Sequence, residues 1–285
     1  MPYRLELLGG SVDLVRQQEV MDFIAGAVAT RRKAIVGNQN LHSLYLSRRN
    51  GAMSAFFAAA DLIEIDSMPL ILWARLLGLK VSRLHRCTYL DWRDEFWRLA
   101  SNGGWRVFCL GAAEPVNAAT LKRLQREWPG IRIEGHHGYF DHARHGSENA
   151  SVVQQINLFR PDVLLVGMGM PLQESWIVEN YGALASGVML SVGAAFDYEA
   201  GVQRAAPRLY GYLALEWLYR FFHEPHRLFH RYMIEPWSLL GPAVTDLRAH
   251  KRHATSEPRA FATSGAMEGT DTDVVAVSED RREAA

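Results

Sequence analysis

Six short apolar stretches of this chain each run into residues able to handle a polar ligand. Asn38-Gln39-Asn40 follow the first, and the second ends on Asp66. The third ends at Gly111 with Glu114 close behind, and the fourth leads to His136-His137-Gly138-Tyr139. The run from Gly167 through Gly169 to Gln173 and Glu174 follows the fifth, and Phe196-Asp197 the sixth. A carboxylate in such a place can take a proton from a hydroxyl, and amide side chains can orient the molecule that bears it. Glycines let backbone N–H groups approach a ligand closely. Plainer readings stand beside these. Asp66, followed by Ser67-Met68-Pro69, suits a helix N-cap, and Gly167 and Gly169 suit a tight turn. No GxGxxG fingerprint and no GxxxxGK[ST] loop is present. The histidines of HHGYFDHARH (136–145) match no zinc-ligand spacing, and the one DxD, Asp271-Thr272-Asp273, lies in a polar tail.

The elements that must position these residues alternate. Lys33–Gly37, Leu62–Asp66, Trp105–Gly111, Ile131–Gly135, Asp162–Gly167 and Val188–Gly193 read as strands, most of them near-continuous apolar runs that suit a sheet covered on both faces. Ser43–Ala60, Pro69–Leu77, Tyr89–Ala100, Val116–Trp128, Ser147–Phe159 and Gln173–Leu184 read as helices between and after them. This alternation predicts an α/β fold, Rossmann-like, with a mostly parallel sheet and helices on both faces. In such sheets ligands bind outside the carboxyl ends of the strands, where the polar residues collect. The pattern changes near residue 205. Pro207–His223 and Pro225–Leu240 read as two helices rich in Tyr, Trp, Phe and Arg, each opened by a proline. The expected division is a core over 1–204, a helical membrane-associating appendage over 205–243 and a tail without order over 244–285.

Composition narrows the class. The chain has 285 residues, 48% of them hydrophobic, with 31 Lys and Arg against 31 Asp and Glu. That balance gives no global field for nucleic acid. Cys87 and Cys109 are the only cysteines and lie in different segments, which argues against a disulfide framework and suits a reducing cytoplasm. The first residues, MPYRLELLGG, lack a signal-peptide layout, and 18 apolar residues nowhere run uninterrupted. A cytoplasmic protein, peripheral on the inner face of the membrane, is the expected location.

Read in order, the segments resemble the WecG/TagA/CpsF family of glycosyltransferases (glycosyltransferase family 26), from about Leu5 to Leu240. The most specific match is GMGMPLQESWI, Gly167–Ile177, similar to the family's GxGxPxQExW pattern. ADLIEIDSMPLILWARLLG around Asp66, Gly138–Phe140, Gly193–Asp197, Arg204–Pro207 and Leu215–Tyr232 support it. IEIDSMPLI and the NLHS of Asn40–Ser43 look nearest to the GumM-like exopolysaccharide branch. The chain departs in having Asp66-Ser67 where the family usually has Asp-Gly, and Asn38-Gln39-Asn40 where it has Thr-x-Asn.

The resemblance implies an inverting transfer of a sugar from a UDP-sugar to a polyprenyl-diphosphate-linked sugar, without a DxD-bound metal or other cofactor. It places the catalytic aspartate at Asp66 and the appendage's arginines at Arg220, Arg227 and Arg231. It matches the family's polar contacts to Asn38, Asn40 and Gln173, and Arg83, Tyr139, Gly167, Gly169, Glu174 and Asp197 join them as expected substrate contacts. Inverting displacement needs a base opposite the departing nucleotide, and with no metal the diphosphate needs fixed cations. The arginines could equally form a solvated face or meet lipid phosphate, and the aromatic residues could simply pack on the core. Expected partners are the two substrates and the membrane surface, with homo-oligomerisation left open. The competing functions are another nucleotide-sugar enzyme, such as an epimerase, and a non-catalytic membrane-peripheral scaffold.

Overall fold

The computed structural model describes residues 3–203 and 228–256. Its centre is a parallel sheet of β3 (Ala34–Gln39), β4 (Leu62–Ile65), β5 (Arg106–Gly111), β6 (Arg132–His136), β7 (Val163–Gly167) and β8 (Val188–Ser191). The strand order is β4-β3-β8-β7-β5-β6. Strand residues alternate between two apolar layers. Ala34, Val36, Val107, Cys109 and Leu190 pack with α1 (Gln17–Ala29), α5 (Tyr89–Gly103), α6 (Glu114–Glu127) and α9 (Ala195–Glu199). Ile35, Phe108, Leu110, Leu164 and Met189 pack with α3 (Gly51–Ala59), α7 (Ser147–Phe159) and α8 (Leu172–Asn180). Helices thus cover both faces, and the continuous apolar strands are accounted for.

Each expected strand forms within two residues of its expected bounds. The expected helix Ser43–Ala60 is instead two, α2 (Leu41–Ser47) and α3, because Asn50 caps α3 through Oδ1 to the amides of Ala52 and Met53. The sequence reading also passed over a hairpin, β1 (Tyr3–Leu7) and β2 (Gly10–Leu14), and α1. Asp13 explains the hairpin's seat. Its buried carboxylate pairs with Arg4 at 2.8 Å and accepts from the Ile63 amide of edge strand β4 at 2.8 Å. A free edge N–H is satisfied in this way.

The C-terminal region departs from expectation. A 3-10 turn (Glu235–Leu239) leads into α10 (Leu240–Ser256), so residues 244–256 are helical where no order was expected. The reason is tertiary. Asp246 Oδ2 accepts from Leu8 N and Trp73 Nε1, each at 2.8 Å. Leu239 and Ala243 join an apolar cluster with Leu7, Leu44, Ile71 and Leu77, which includes α4 (Met68–Leu76).

Candidate active site

The chain leaves β5 outward to β6 but leaves β7 toward β8, so the direction of winding reverses between β5 and β7. Crevices open at the carboxyl ends of strands at such a reversal. Glycines make the crowding there tolerable. A Cβ at Gly111 would sit 2.2 Å from Gly167 O, and one at Gly167 would sit 2.7 Å from Gly193 O and 2.8 Å from the Phe196 ring. Gly167 is therefore taken up by packing. Gly169 and Gly193 differ, with φ of +81° and +54° and open space where a Cβ would lie.

Gln173 holds both of those loops. Its Oε1 accepts from Gly169 N at 3.2 Å and Gly193 N at 3.1 Å, and its Nε2 donates to Glu174 Oε1 at 2.6 Å. Both side chains are fully buried. Gln173 thus fixes the β7–α8 and β8–α9 loops, with its own polar atoms spent on the protein. Burial pushes the Glu174 carboxyl up to about 7 against the hydrogen bond from Gln173. Asn38 ties β3 to β8 through Nδ2 to Ser191 O at 2.9 Å, and its Oδ1 is buried without a partner among the described residues. The loop after β6 folds back, Gly138 N donating to Ala112 O at 2.8 Å, so that exposed Tyr139 belongs to the β5–β7 side. Asp197 lies half-buried in the first turn of α9, after Gly193.

A second cluster forms around β4, two strand spacings or roughly 10 Å from β8. Asp66 follows the last residue of β4, half-buried, and its amide donates to Gln39 O at 2.9 Å. It is not the helix cap. Ser67 holds the N-cap position of α4, at φ −130° and ψ 138°, so a glycine is not required there. The Asp66 carboxylate instead accepts from Asn40 Nδ2 at 3.1 Å. Asn40 is fixed in turn. Its Oδ1 accepts from Ser43 N at 3.0 Å and its amide donates to Ser43 Oγ at 2.8 Å, a reciprocal cap on α2. A 3-10 turn (Arg83–His85) is pinned to the end of the same strand, Cys87 N donating to Ile65 O at 2.8 Å, which brings Arg83 to this edge.

Residues 228–256 close the cluster from above. His42, in the first turn of α2, bonds through Nδ1 to Glu235 Oε2 at 2.6 Å. Burial lowers the His42 pKa and the charge of Arg231 lowers it further, with Glu235 opposing. Arg231 therefore sits within electrostatic reach of the α2 N-terminus, beside Asn40 and Asp66. Arg220 and Arg227 lie outside the described residues. So the structure joins Asn40 to Asp66 directly, draws Arg83 and Arg231 to the same end, and gathers Asn38, Gln173, Glu174 and Gly169 around the neighbouring strands.

The family model described as Glycosyl transferase WecG/TagA/CpsF matches residues 5–253. The chain belongs to this family. It is a glycosyltransferase. Among its relatives is the N-acetylglucosaminyldiphosphoundecaprenol N-acetyl-beta-D-mannosaminyltransferase of Staphylococcus aureus strain MRSA252, 32% identical over 193 residues, 68% of this chain and 70% of that protein. The protein of the same name from strain NCTC 8325 matches with the same identity and coverage.

In this WecG/TagA/CpsF-family chain, His136, His137 and His142 bond to backbone groups of their own segment. His136 Nδ1 meets His137 O at 2.8 Å and His142 Nε2 meets Gly138 O at 3.0 Å. Among the described residues no three His, Cys, Asp or Glu side chains gather as a metal site would require. Sequence reasoning missed His42 and Glu235, and gave Glu64 no role in the site. Glu64 is buried on the face of β4 that Asp66 continues, bonded to Trp92 Nε1 at 3.1 Å, and burial pushes it up to about 8. Its signal was a lone carboxylate inside an apolar strand. His42 and Glu235 lie 193 residues apart, and nothing local announces their pairing. A hollow of about 450 Å³ between α7 and the end of α8 is lined by none of the strand-end residues.

Proposed function

We propose that this glycosyltransferase moves a sugar from a UDP-sugar to a hydroxyl of a polyprenyl-diphosphate-linked saccharide, with inversion, in cell-surface or exopolysaccharide synthesis. The observation that supports it most is the Asn40–Asp66 hydrogen bond at the carboxyl edge of the sheet. The capped side chain of Asn40 holds the Asp66 carboxylate in a fixed direction at that edge. Asp66 removes the proton of the acceptor hydroxyl as that oxygen attacks the anomeric carbon, and the UDP leaves from the opposite face. The open backbone at Gly169 and Gly193 suits the nucleotide, on loops that Gln173 keeps in place. Arg231, with Arg220 and Arg227, balances the charge that develops on the leaving diphosphate without a metal ion. The relatives support a lipid-linked acceptor, since their names specify transfer to a diphosphoundecaprenol-linked N-acetylglucosamine.

An acceptor in the bilayer asks for a protein at its surface. No described helix is long and apolar enough to cross a membrane. Phe229, Met233, Trp237, Leu240, Val244 and Leu247, spaced by three or four residues, are all exposed. These exposed apolar residues, carried by the 3-10 turn of Glu235–Leu239, α10 and the residues before them, suit a segment lying in the headgroup region. The test is a panel of UDP-sugars offered with polyprenyl-diphosphate-linked glucose or N-acetylglucosamine in excess EDTA, read by mass spectrometry. A glycosylated lipid is expected. Conversion of the nucleotide-sugar without an acceptor would favour an epimerase, and no turnover of any donor would favour the scaffold.

A further inference from the structure

α4 starts two residues after Asp66 and is apolar on opposite sides. Leu70, Ile71 and Ala74 are buried against the core, yet Leu72 is 51% exposed and Leu76 64%. Leu84, in the 3-10 turn that packs on α4, is 65% exposed. A nine-residue helix that is apolar on its outer side as well has a second environment to meet besides water. The charge of this region is one-sided. From Ser67 to Leu90 the charged residues are Arg75, Lys80, Arg83 and Arg86, with no Asp or Glu among them. Arg75 and Lys80 are exposed beside the leucines. α10 lies alongside, Trp73 of α4 donating to Asp246, and it adds Val244 and Leu247 to the exposed apolar surface.

We propose that α4 and the Arg83–His85 turn are a bilayer-docking surface of the catalytic core itself. Leu72, Leu76 and Leu84 enter the interfacial region of an anionic membrane while Arg75 and Lys80 meet its phosphates. The basic, acid-free character of 67–90 favours an anionic lipid surface over a second copy of this chain, whose matching face would carry the same charge. This surface sets Asp66, at the head of α4, beside the headgroups. The inference rests on the reading that the acceptor is lipid-linked.

The test uses the full chain with vesicles of phosphatidylcholine, with and without phosphatidylglycerol. L72Q/L76Q/L84Q is expected to weaken binding to phosphatidylglycerol vesicles about tenfold, and R75Q/K80Q to remove much of its salt sensitivity. These exposed positions tolerate glutamine, and melting curves check that both variants fold. Should the triple variant melt early, L72Q/L84Q gives the same reading. Vesicle binding equal to wild type in the leucine variants overturns the proposal. So does a wild type that self-associates without vesicles and becomes monomeric in the triple variant, because the surface then belongs to a second copy. Transfer to acceptor in detergent micelles is followed in parallel. Its absence in the wild type counts against the proposed reaction, whatever the vesicles show.

Discussion

Asn40 serves two masters at one position, capping α2 through Oδ1 and holding Asp66 through Nδ2. N40A removes both, and the two losses separate in measurement. The cap is worth about 1 kcal/mol of stability. The Asp66 carboxylate loses the restraint that Asn40 supplies, so kcat is expected to fall at least tenfold with KM little changed, as for a group acting mainly in the transition state. A rise in KM with kcat unchanged would show that Asn40 serves binding instead. Glu64 makes a prediction about pH. Unfolded, it titrates near its ordinary value of 4.5, and folded it titrates at about 8. Between these values the folded state binds more protons, so its contribution to stability is full below 4.5 and is lost as pH rises through 8. The slope approaches about 1.4 kcal/mol per pH unit. E64Q keeps an acceptor for Trp92 and removes that slope. Denaturation midpoints of wild type and variant from pH 5 to 8.5 should therefore diverge, and parallel curves would refute the burial argument.

At the scale of elements, the parallel strands were legible because burial on both faces writes itself as unbroken apolar runs, as in Val163–Gly167. The residues delivered to the strand ends were legible for the same reason. Roles were less so. Gln173 reads from sequence as a ligand contact, and no local signal shows that its Oε1 also joins Gly169 to Gly193 across two loops. The split between α2 and α3 rests on one cap at Asn50, a signal hidden inside a helical composition. α10 was missed because its order comes from Asp246 and Leu239 meeting β1 and α4, not from its own period. D246A is then expected to cost about 1–3 kcal/mol, since the part-buried Leu8 and Trp73 donors both lose their acceptor. Hydrogen exchange should show α10 opening first. An unchanged melting temperature would mean that α10 is held by other contacts.

Over the whole molecule, two clusters sit side by side on one edge of the sheet. The loops of β7 and β8 offer open backbone, and β3 and β4 present a restrained carboxylate with Arg83 and Arg231 nearby. An elongated ligand with a charged nucleotide end and a reacting sugar end would span the roughly 10 Å between them. α10 and α4, which both carry exposed apolar residues, pack together through Trp73 and Asp246, so the proposed membrane contact would draw on both. The most direct measurement is single-turnover transfer to lipid-linked acceptor by wild type and D66N, in excess EDTA, with the anomeric configuration of the product read by NMR. The account predicts an inverted linkage, formed by wild type despite the chelator and slowed about a hundred- to ten-thousand-fold in a D66N variant that melts like wild type. Transfer by D66N at the wild-type rate, or a product that retains the donor's configuration, would contradict it.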